Sequence, residues 1–243
     1  MGGRMNPPSP TPNEDCQKRW LYGILDPFHE RGVTLMIKQI LFDCGGVLVE
    51  LNFRQLMEEI SGSAELADAF ISRLWSPGSP WLRYDSGELN TAQVVEAAMK
   101  EYLPQEFHSA LEAFVSRWLD VLPPMAGMEE LVDQIQAHGL GCYVLSNFSE
   151  GFQQMPAKTP VLQKMDGMVI SYETHLLKPD PEAYYNALNR YGLKAAETLF
   201  VDDNAHNVDA AIACGLEGYH FTTPDAFRTY LHDAGILSRE TER

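Results

Sequence analysis

The sequence predicts an α/β fold, a doubly wound parallel sheet with a helical cap inserted after its first strand. Two observations support this prediction. Short apolar runs that end in polar residues recur along the second half of the chain, where they alternate with segments of helical period. A first apolar run, 40–42, is separated from the others by a long stretch of purely helical pattern. Alternating strands and helices favour a parallel sheet with right-handed crossovers.

The first predicted strand, 40–42, lies in the stretch QILFDCGGVLVE. Its uninterrupted apolar character is typical of a strand that is buried on both faces. It ends at Asp43, after which Gly45 and Gly46 allow a sharp turn and the close approach of a ligand. A carboxylate at the end of a buried strand is costly unless a cation, a partner or a substrate is present. Taken alone, the stretch fits a surface aspartate at a turn equally well.

The long helical stretch covers residues 51–122. Apolar spacing predicts four helices in it, over about 53–60, 66–75, 91–102 and 106–119. Because the stretch directly follows the Asp43 loop, we predict a cap domain over the strand ends; a helical wall on the sheet is the alternative. Trp81, Arg83 and Tyr84 lie between two predicted helices and combine aromatic with cationic character. We expect these three to contact the leaving group of a substrate, with packing inside the cap as the alternative.

The core domain is predicted to comprise residues 36–50 and 123–243. Apolar runs predict strands over 142–145, 168–170, 198–201 and 218–221, and helices over 128–138, 181–191, 208–214 and 225–231. Residues 1–35 differ from the rest, because they are polar and rich in proline at their start. We expect them to form a mobile extension without a catalytic role.

Composition excludes several classes of protein. The formal net charge is -16, from 34 acidic and 18 basic residues, and such a surface repels nucleic acid and anionic lipid. No stretch reaches the about 18 consecutive apolar residues of a membrane span. The four cysteines are scattered without a CxxC pair, which favours the reducing cytoplasm over a disulfide scaffold. We therefore expect a small-molecule partner and leave open a monomer or a homodimer.

Polar residues end several predicted strands and should meet at one edge of the sheet. They are Asp43, the pair Ser146 and Asn147, and the pair Asp202 and Asp203, with Lys178 in the loop LLKPDP nearby. Carboxylate and carbonyl oxygens suit Mg²⁺, and the lack of His and Cys among these residues argues against zinc. Taken singly, the Ser-Asn pair also fits an ordinary turn, and Lys178 fits a solvated loop lysine.

The order of these motifs, FDxGGV, a strand that ends in SN, KPDP and FVDDNxxNV, resembles the haloacid dehalogenase-like hydrolase superfamily. The resemblance extends over roughly residues 37–230 and implies a Rossmann-like core with the helical cap of that superfamily. The spellings DxGGV and VDDNxxNV are most similar to the branch that contains bacterial glucose-1-phosphate phosphatase.

The resemblance implies a role for each motif residue. Asp43 would be the nucleophile that forms an aspartyl-phosphate. An Asp43 oxygen, the Gly45 carbonyl and Asp203 would bind Mg²⁺, while Asp202 and Asn207 would hold metal-bound waters. The remaining roles concern the phosphoryl group: Ser146 (hydroxyl) and Asn147 (backbone N–H) would bind its oxygens, and Lys178 would neutralise its charge and keep Asp43 ionised.

One departure from the superfamily pattern concerns the acid. Its phosphatases usually carry a second Asp two residues after the nucleophile, whereas this chain has Gly45. Water or a cap residue such as Asp85 or Glu88 must then protonate the leaving group. The favoured function is a Mg²⁺-dependent phosphatase of small monoesters, with anomeric sugar phosphates preferred. A dehalogenase, a phosphonatase and a non-catalytic phosphometabolite-binding protein are the alternatives. We expect Cys44 to be a packed side chain and His206 to face solvent.

Overall fold

The computed structural model describes residues 36–238. These residues form one compact unit. The predicted extension, residues 1–35, lies outside the described residues. Within 36–238, no helix combines the length and the apolar character that crossing a membrane requires.

The core is a five-stranded parallel sheet, which confirms the predicted fold class. In chain order the strands are β1 (Gln39–Phe42), β2 (Gly141–Ser146), β3 (Gly167–Ile170), β4 (Thr198–Asp202) and β5 (Glu217–His220). Their order across the sheet is β3-β2-β1-β4-β5, and every neighbouring pair is parallel. All five predicted strands exist, and no end is displaced by more than one residue.

The helices fall into two groups along the chain. The first group comprises α1 (Phe53–Ser61), α2 (Ala64–Leu74), α3 (Pro80–Asp85), α4 (Thr91–Ala97) and α5 (His108–Arg117). The second comprises α6 (Met128–Ala137), α7 (Met155–Lys158), α8 (Ser171–Thr174), α9 (Pro181–Tyr191), α10 (Ala205–Ala213) and α11 (Pro224–Asp233). A π-helical turn at Ala98–Tyr102 continues α4, and short 3-10 turns lie at Gln105–Phe107, Trp118–Val121, Glu150–Gln154, Pro160–Lys164 and Ala195–Glu197.

The sheet is buried on both faces at its centre, as its continuous apolar strands predict, whereas the edge strand β5 is partly exposed. Along β1, Ile40 and Phe42 point into one apolar cluster, whereas Leu41 points into a second. The first cluster includes residues of α6 and α11 such as Phe227, and the second includes residues of α9 and α10 such as Tyr184. Helices therefore cover both faces, which is the arrangement of a doubly wound sheet.

The chain changes direction across the sheet at β1 and β4. The connection that leaves β1 leads to β2 on one side, and the connection that leaves β4 leads to β5 on the other. The backbone N–H of Asp43 donates to the Val201 carbonyl at 2.8 Å, so the residue after β1 is held against β4. Such a switch point opens a crevice at the carboxyl ends of the two strands, where ligands of open α/β sheets bind.

Residues 53–121 are helical, without a strand, and an aromatic cluster packs them together. The ring of Trp81 lies 5.9 Å from Trp75, 5.9 Å from Phe114 and 5.4 Å from Trp118, measured between centroids. Trp118 in turn lies 5.2 Å from Phe148 in the loop after β2. The division into a cap domain, 51–122, and a core domain stays a prediction.

Helix α3 corrects one prediction, because Trp81, Arg83 and Tyr84 lie in this helix and not in a connecting stretch. The Ser79 hydroxyl accepts from the Trp81 backbone N–H, and Pro80 occupies the first turn, where its missing N–H is tolerated. Six residues are too few for helical periodicity to be recognised in a sequence.

Replacing Trp81 with alanine should lower the free energy of unfolding by about 3–5 kcal/mol, because a cavity would form in the aromatic cluster. Arg83→Ala is the control on the same helix, since the Arg83 side chain is 50% exposed, and its effect should stay below about 0.5 kcal/mol. Urea unfolding followed by circular dichroism measures both variants. A small effect of Trp81→Ala would show that the indole does not hold the cluster together.

Candidate active site

Three carboxylates meet at the switch point. Asp43 follows β1, Asp202 is the last residue of β4, and Asp203 follows it. One oxygen from each lies within 4.8 Å of the other two. Asp202 is fully buried, whereas Asp203 is exposed. The structure therefore brings together side chains that the sequence places about 160 residues apart.

Lys178 connects two of these carboxylates. Its Nζ lies 2.9 Å from Oδ1 of Asp43 and 2.7 Å from Oδ2 of Asp202, and its side chain is 1% exposed. The interpretation of Lys178 as a solvated loop lysine is therefore wrong. Burial by itself lowers the pKa of Lys178, but attraction to Asp43 and Asp202 outweighs it and raises the pKa above its ordinary value. The residue is consequently held as an ammonium ion.

Asn147 fixes the backbone from which Lys178 projects. Its side-chain Nδ2 donates to the Lys178 carbonyl at 2.8 Å, and the Lys178 N–H donates to its Oδ1 at 2.8 Å. The sequence suggested a backbone role for Asn147 and gave no signal for this side-chain role, because the contact depends on how the two loops meet. Ser146, the last residue of β2, is buried at the same edge of the sheet.

The two aspartates of the last motif differ in their surroundings. Asp202 accepts from Asn207 Nδ2 at 3.2 and 3.1 Å and from the Asn204 backbone N–H at 2.8 Å, in addition to Lys178. These contacts occupy both of its oxygens and fix its orientation. Desolvation and, after it, repulsion from Asp202 raise the pKa of Asp203 above its ordinary value. The geometry leaves the more exposed Asp203 better placed to approach a ligand directly.

Gly46 allows Asp203 to approach the Asp43 loop. Its φ is 73°, and a Cβ at this position would lie 2.3 Å from Oδ2 of Asp203. Gly45 is different, because its φ is ordinary and a Cβ would meet only Leu51, at 3.2 Å from Cδ2. The close approach of Asp203 thus requires glycine at position 46 but not at position 45.

The site has the chemistry of a cation site. All its protein donors are oxygens, and three carboxylates face one ammonium group, which leaves an excess of negative charge. Burial raises the pKa of Asp43 to about 7, with a contribution from Asp202 and Asp203, although Lys178 lowers it. A hard divalent cation such as Mg²⁺ fits these oxygens and would favour the ionised form of Asp43.

The other predicted residues divide into two groups. Trp81 and Tyr84 are 2% and 1% exposed, which favours packing over contact with a leaving group. Arg83 is exposed and pairs with Glu88 at 3.2 Å. As expected, Cys44 is fully buried, and burial raises the pKa of its thiol far above the ordinary value, while His206 is exposed.

The fold and the site define a class: an α/β protein with a carboxylate-rich cation site and a buried lysine at the switch point of its sheet. A family model for haloacid dehalogenase-like hydrolases matches residues 37–215. The chain belongs to this family and is a hydrolase, which confirms the resemblance to the superfamily.

Similar proteins include both phosphatases and dehalogenases. Sesquiterpene phosphatase astK from Aspergillus oryzae is 28% identical over 187 residues, 76% of this chain and 90% of that protein. An (S)-2-haloacid dehalogenase from Pseudomonas fluorescens is 28% identical over 190 residues, 72% of this chain and 80% of that protein. A HAD family enzyme from Bacteroides thetaiotaomicron, solved with magnesium and inorganic phosphate, has a TM-score of 0.59 at 21% identity, over 77% of this chain and 95% of that one.

Gly46→Ala should weaken Mg²⁺ binding by about 10–100-fold, because the methyl group would displace the Asp203 carboxylate. Gly45→Ala is the matched control, since its Cβ would meet only the flexible end of Leu51. Isothermal titration calorimetry with MgCl₂ measures both affinities. Equal Mg²⁺ affinities of the two variants would contradict the proposal that Gly46 makes room for the Asp203 carboxylate as a Mg²⁺ ligand.

Asp43→Asn should stabilise the metal-free protein more at pH 8 than at pH 5. The pKa of Asp43 is raised from about 3.9 in the unfolded chain to about 7 in the fold. A raised folded pKa means that the stability contributed by the protonated form is lost as pH rises through that range. The loss is up to about 1.4 kcal/mol per pH unit, and the asparagine variant escapes it.

Urea unfolding in EDTA at both pH values measures this difference. Asp209→Asn, which removes an exposed carboxylate on α10, is the control for a general change in net charge. If Asp43→Asn raised the free energy of unfolding equally at pH 5 and pH 8, ionisation of Asp43 would not be the cause of the increase.

Proposed function

We propose that this hydrolase is a Mg²⁺-dependent phosphatase of small phosphate monoesters that works through an aspartyl-phosphate. The observation that carries the proposal is the Lys178 ammonium, which is buried between Asp43 and Asp202, two carboxylates that also lie close to Asp203. A transferring phosphoryl group spreads negative charge over its oxygens, so catalysis depends on positioning and on fixed positive charge.

Asp43 supplies the attacking oxygen in this mechanism. Asp43, the Gly45 carbonyl and Asp203 would hold Mg²⁺, with Asp202 and Asn207 reaching it through water, and the cation supplies charge compensation. Asp202 also orients Lys178, because both of its oxygens are already held by the protein. This division of roles gives each carboxylate of the site a separate function.

The phosphoryl oxygens would be bound from the other side of Asp43. The Ser146 hydroxyl and the Asn147 backbone N–H are the proposed donors at the end of β2, and the Lys178 ammonium neutralises the charge. The side chain of Asn147 meanwhile holds the Lys178 backbone in place. The end of β2 would thus both bind the phosphoryl group and position the lysine.

Two observations favour phosphatase over the alternatives. A dehalogenase of this family needs no metal, so it would not require the close approach of Asp203 to Gly46. A phosphonatase needs a cap lysine that forms an imine, and the lysine of the stretch 51–122, Lys100, is exposed. Only a measurement of turnover distinguishes a non-catalytic binding protein from the phosphatase.

The finer features of the proposal rest on sequence arguments. Because Gly45 supplies no acid, esters of simple alcohols depend on an acid from outside the Asp43 loop. The anomeric oxygen of a sugar phosphate is more acidic than a simple alcohol and depends on such an acid less, so anomeric sugar phosphates are the proposed substrates. The similarity to the glucose-1-phosphate phosphatase branch points to the same substrates. Free thiols at Cys44, Cys142 and Cys214 agree with the proposed cytoplasmic location. The net charge of -16 agrees with the proposed absence of nucleic-acid and membrane partners, and the protein would be a monomer or a homodimer.

Phosphate release from p-nitrophenyl phosphate, with Mg²⁺ and with EDTA, tests the proposal. The wild type should turn over only with Mg²⁺, Asp203→Ala should lose the response to Mg²⁺, and Asp43→Asn should lose more than about 10³-fold in kcat. Asp209→Asn replaces an exposed carboxylate that has no proposed role in the site, and it should leave kcat unchanged. Near-normal turnover by Asp43→Asn would eliminate the covalent mechanism, and full activity in EDTA would eliminate the metal.

A further inference from the structure

Asp85, the last residue of α3, is a buried carboxyl group without a partner. The residue is 8% exposed. Its carboxyl group makes neither a hydrogen bond nor an ion pair with any residue in the part of the chain that the structure describes. Burial raises the pKa of Asp85 well above its ordinary value, and no neighbouring charge offsets this effect. A buried acidic group that lacks a protein partner is costly to retain, and such groups mark functional sites.

Hydrogen bonds fasten the end of α3 to the edge of the sheet that carries the active site. The Ser171 hydroxyl, directly after β3, donates to the Asp85 carbonyl at 2.5 Å and accepts from the Phe148 N–H at 2.9 Å. Phe148 directly follows Asn147, whose amide holds the Lys178 backbone. The backbone of Asp85 is therefore connected, through Ser171 and the loop after β2, to the lysine that contacts Asp43.

Two further contacts keep this end of α3 in place. His175 Nδ1 lies 2.7 Å from the Ser86 carbonyl. Gly87, with φ 74°, packs so closely that a Cβ there would lie 2.3 Å from the Tyr172 carbonyl oxygen. Asp85 thus occupies a fixed position at the carboxyl edge of the sheet.

Neighbouring ionisable groups do not compete for this role. Glu88, the other acid that the sequence offers here, pairs with Arg83, and their side chains are 59% and 50% exposed. The elements that contact α3 carry the ionisable groups Glu96, Lys100, Glu101, Tyr102, Tyr172 and Glu173, and Tyr84, Glu150 and His175 are linked to this region by hydrogen bonds. Glu150 is engaged by the backbone N–H and the hydroxyl of Thr91, and Tyr84 is hydrogen-bonded to the same hydroxyl.

We propose that Asp85 is the catalytic residue that protonates the leaving oxygen, in place of the acid that is missing at Gly45. The proposal rests on the phosphatase function above. In an in-line displacement the leaving oxygen lies on the side of phosphorus opposite the attacking Asp43 oxygen, away from the end of β1. Hydrogen bonds fasten the end of helix α3 at this edge, and its last side chain is the unpartnered acid.

The proton transfers balance in both steps. In the first, an Asp43 oxygen bonds to phosphorus while the bond between phosphorus and the leaving oxygen breaks. The electron pair stays on the leaving oxygen, which takes the Asp85 proton and departs as the alcohol. In the second, the Asp85 carboxylate takes a proton from the water that attacks phosphorus. The bond to Asp43 then breaks, and inorganic phosphate leaves.

The test compares Asp85→Asn with Glu88→Gln, its matched control on the exposed pair. The substrates are p-nitrophenyl phosphate, whose leaving group needs no proton, an anomeric hexose phosphate and a hexose 6-phosphate. Asp85→Asn should lower kcat/KM for the 6-phosphate by about 10²–10⁴-fold, for the anomeric ester by less, and for the aryl ester by only a few-fold. Glu88→Gln should change none of them.

The pH profile of the wild type supplies a measurement that needs no variant. Turnover of the 6-phosphate should fall at high pH as Asp85 ionises, and turnover of the aryl ester should lack this fall. Equal losses for all three substrates in Asp85→Asn, or profiles that coincide, would overturn the role of Asp85 while leaving the phosphatase intact. Wild-type protein that releases phosphate from no ester would overturn the proposed function, and the role of Asp85 with it.

Discussion

The contact of the Lys178 ammonium with Asp43 and Asp202 is the interaction on which the site depends. Two carboxylates at adjacent strand ends repel each other, and removal from water makes that repulsion stronger. The ammonium at 2.9 and 2.7 Å provides the opposite charge that allows both to remain buried. The lysine is itself removed from water, and the carboxylates that it contacts compensate its charge. Asp202, which is fully buried, provides the shorter of the two contacts.

The surrounding fold serves to hold this ion triad at one point. Strands β1 and β4 bring the two carboxylates together, and the amide of Asn147 at the end of β2 fixes the backbone of the lysine. The ring of Phe200 on β4 lies 5.4 Å from the lysine Nζ. Contributions from three strands and two loops are needed, which explains why the site lies where the strand order reverses.

The sequence predicted the sheet and the polar residues at its edge, because parallel strands bring their carboxyl ends together whatever their separation in the chain. It did not predict α3, which is too short to show a period, nor the hold of Asn147 on Lys178, which depends on loop conformation. It also offered Asp85 and Glu88 as equal acids. The two acids differ in burial, because Asp85 is 8% exposed whereas Glu88 belongs to an exposed ion pair. Residue type does not predict such a difference between two acids that are three positions apart.

The two glycines of the Asp43 loop have different physical origins, and the difference bears on catalysis. Gly46 is imposed by the positive φ and by the Asp203 carboxylate, so no side chain fits there. At Gly45 the backbone is ordinary, and a Cβ would meet only the movable end of Leu51. The fold itself thus does not forbid an acid at position 45. Its absence transfers proton donation away from the loop. A buried carboxyl group on α3 is suited to that task, because burial raises the pKa of Asp85 well above its ordinary value and so favours the protonated form that donates.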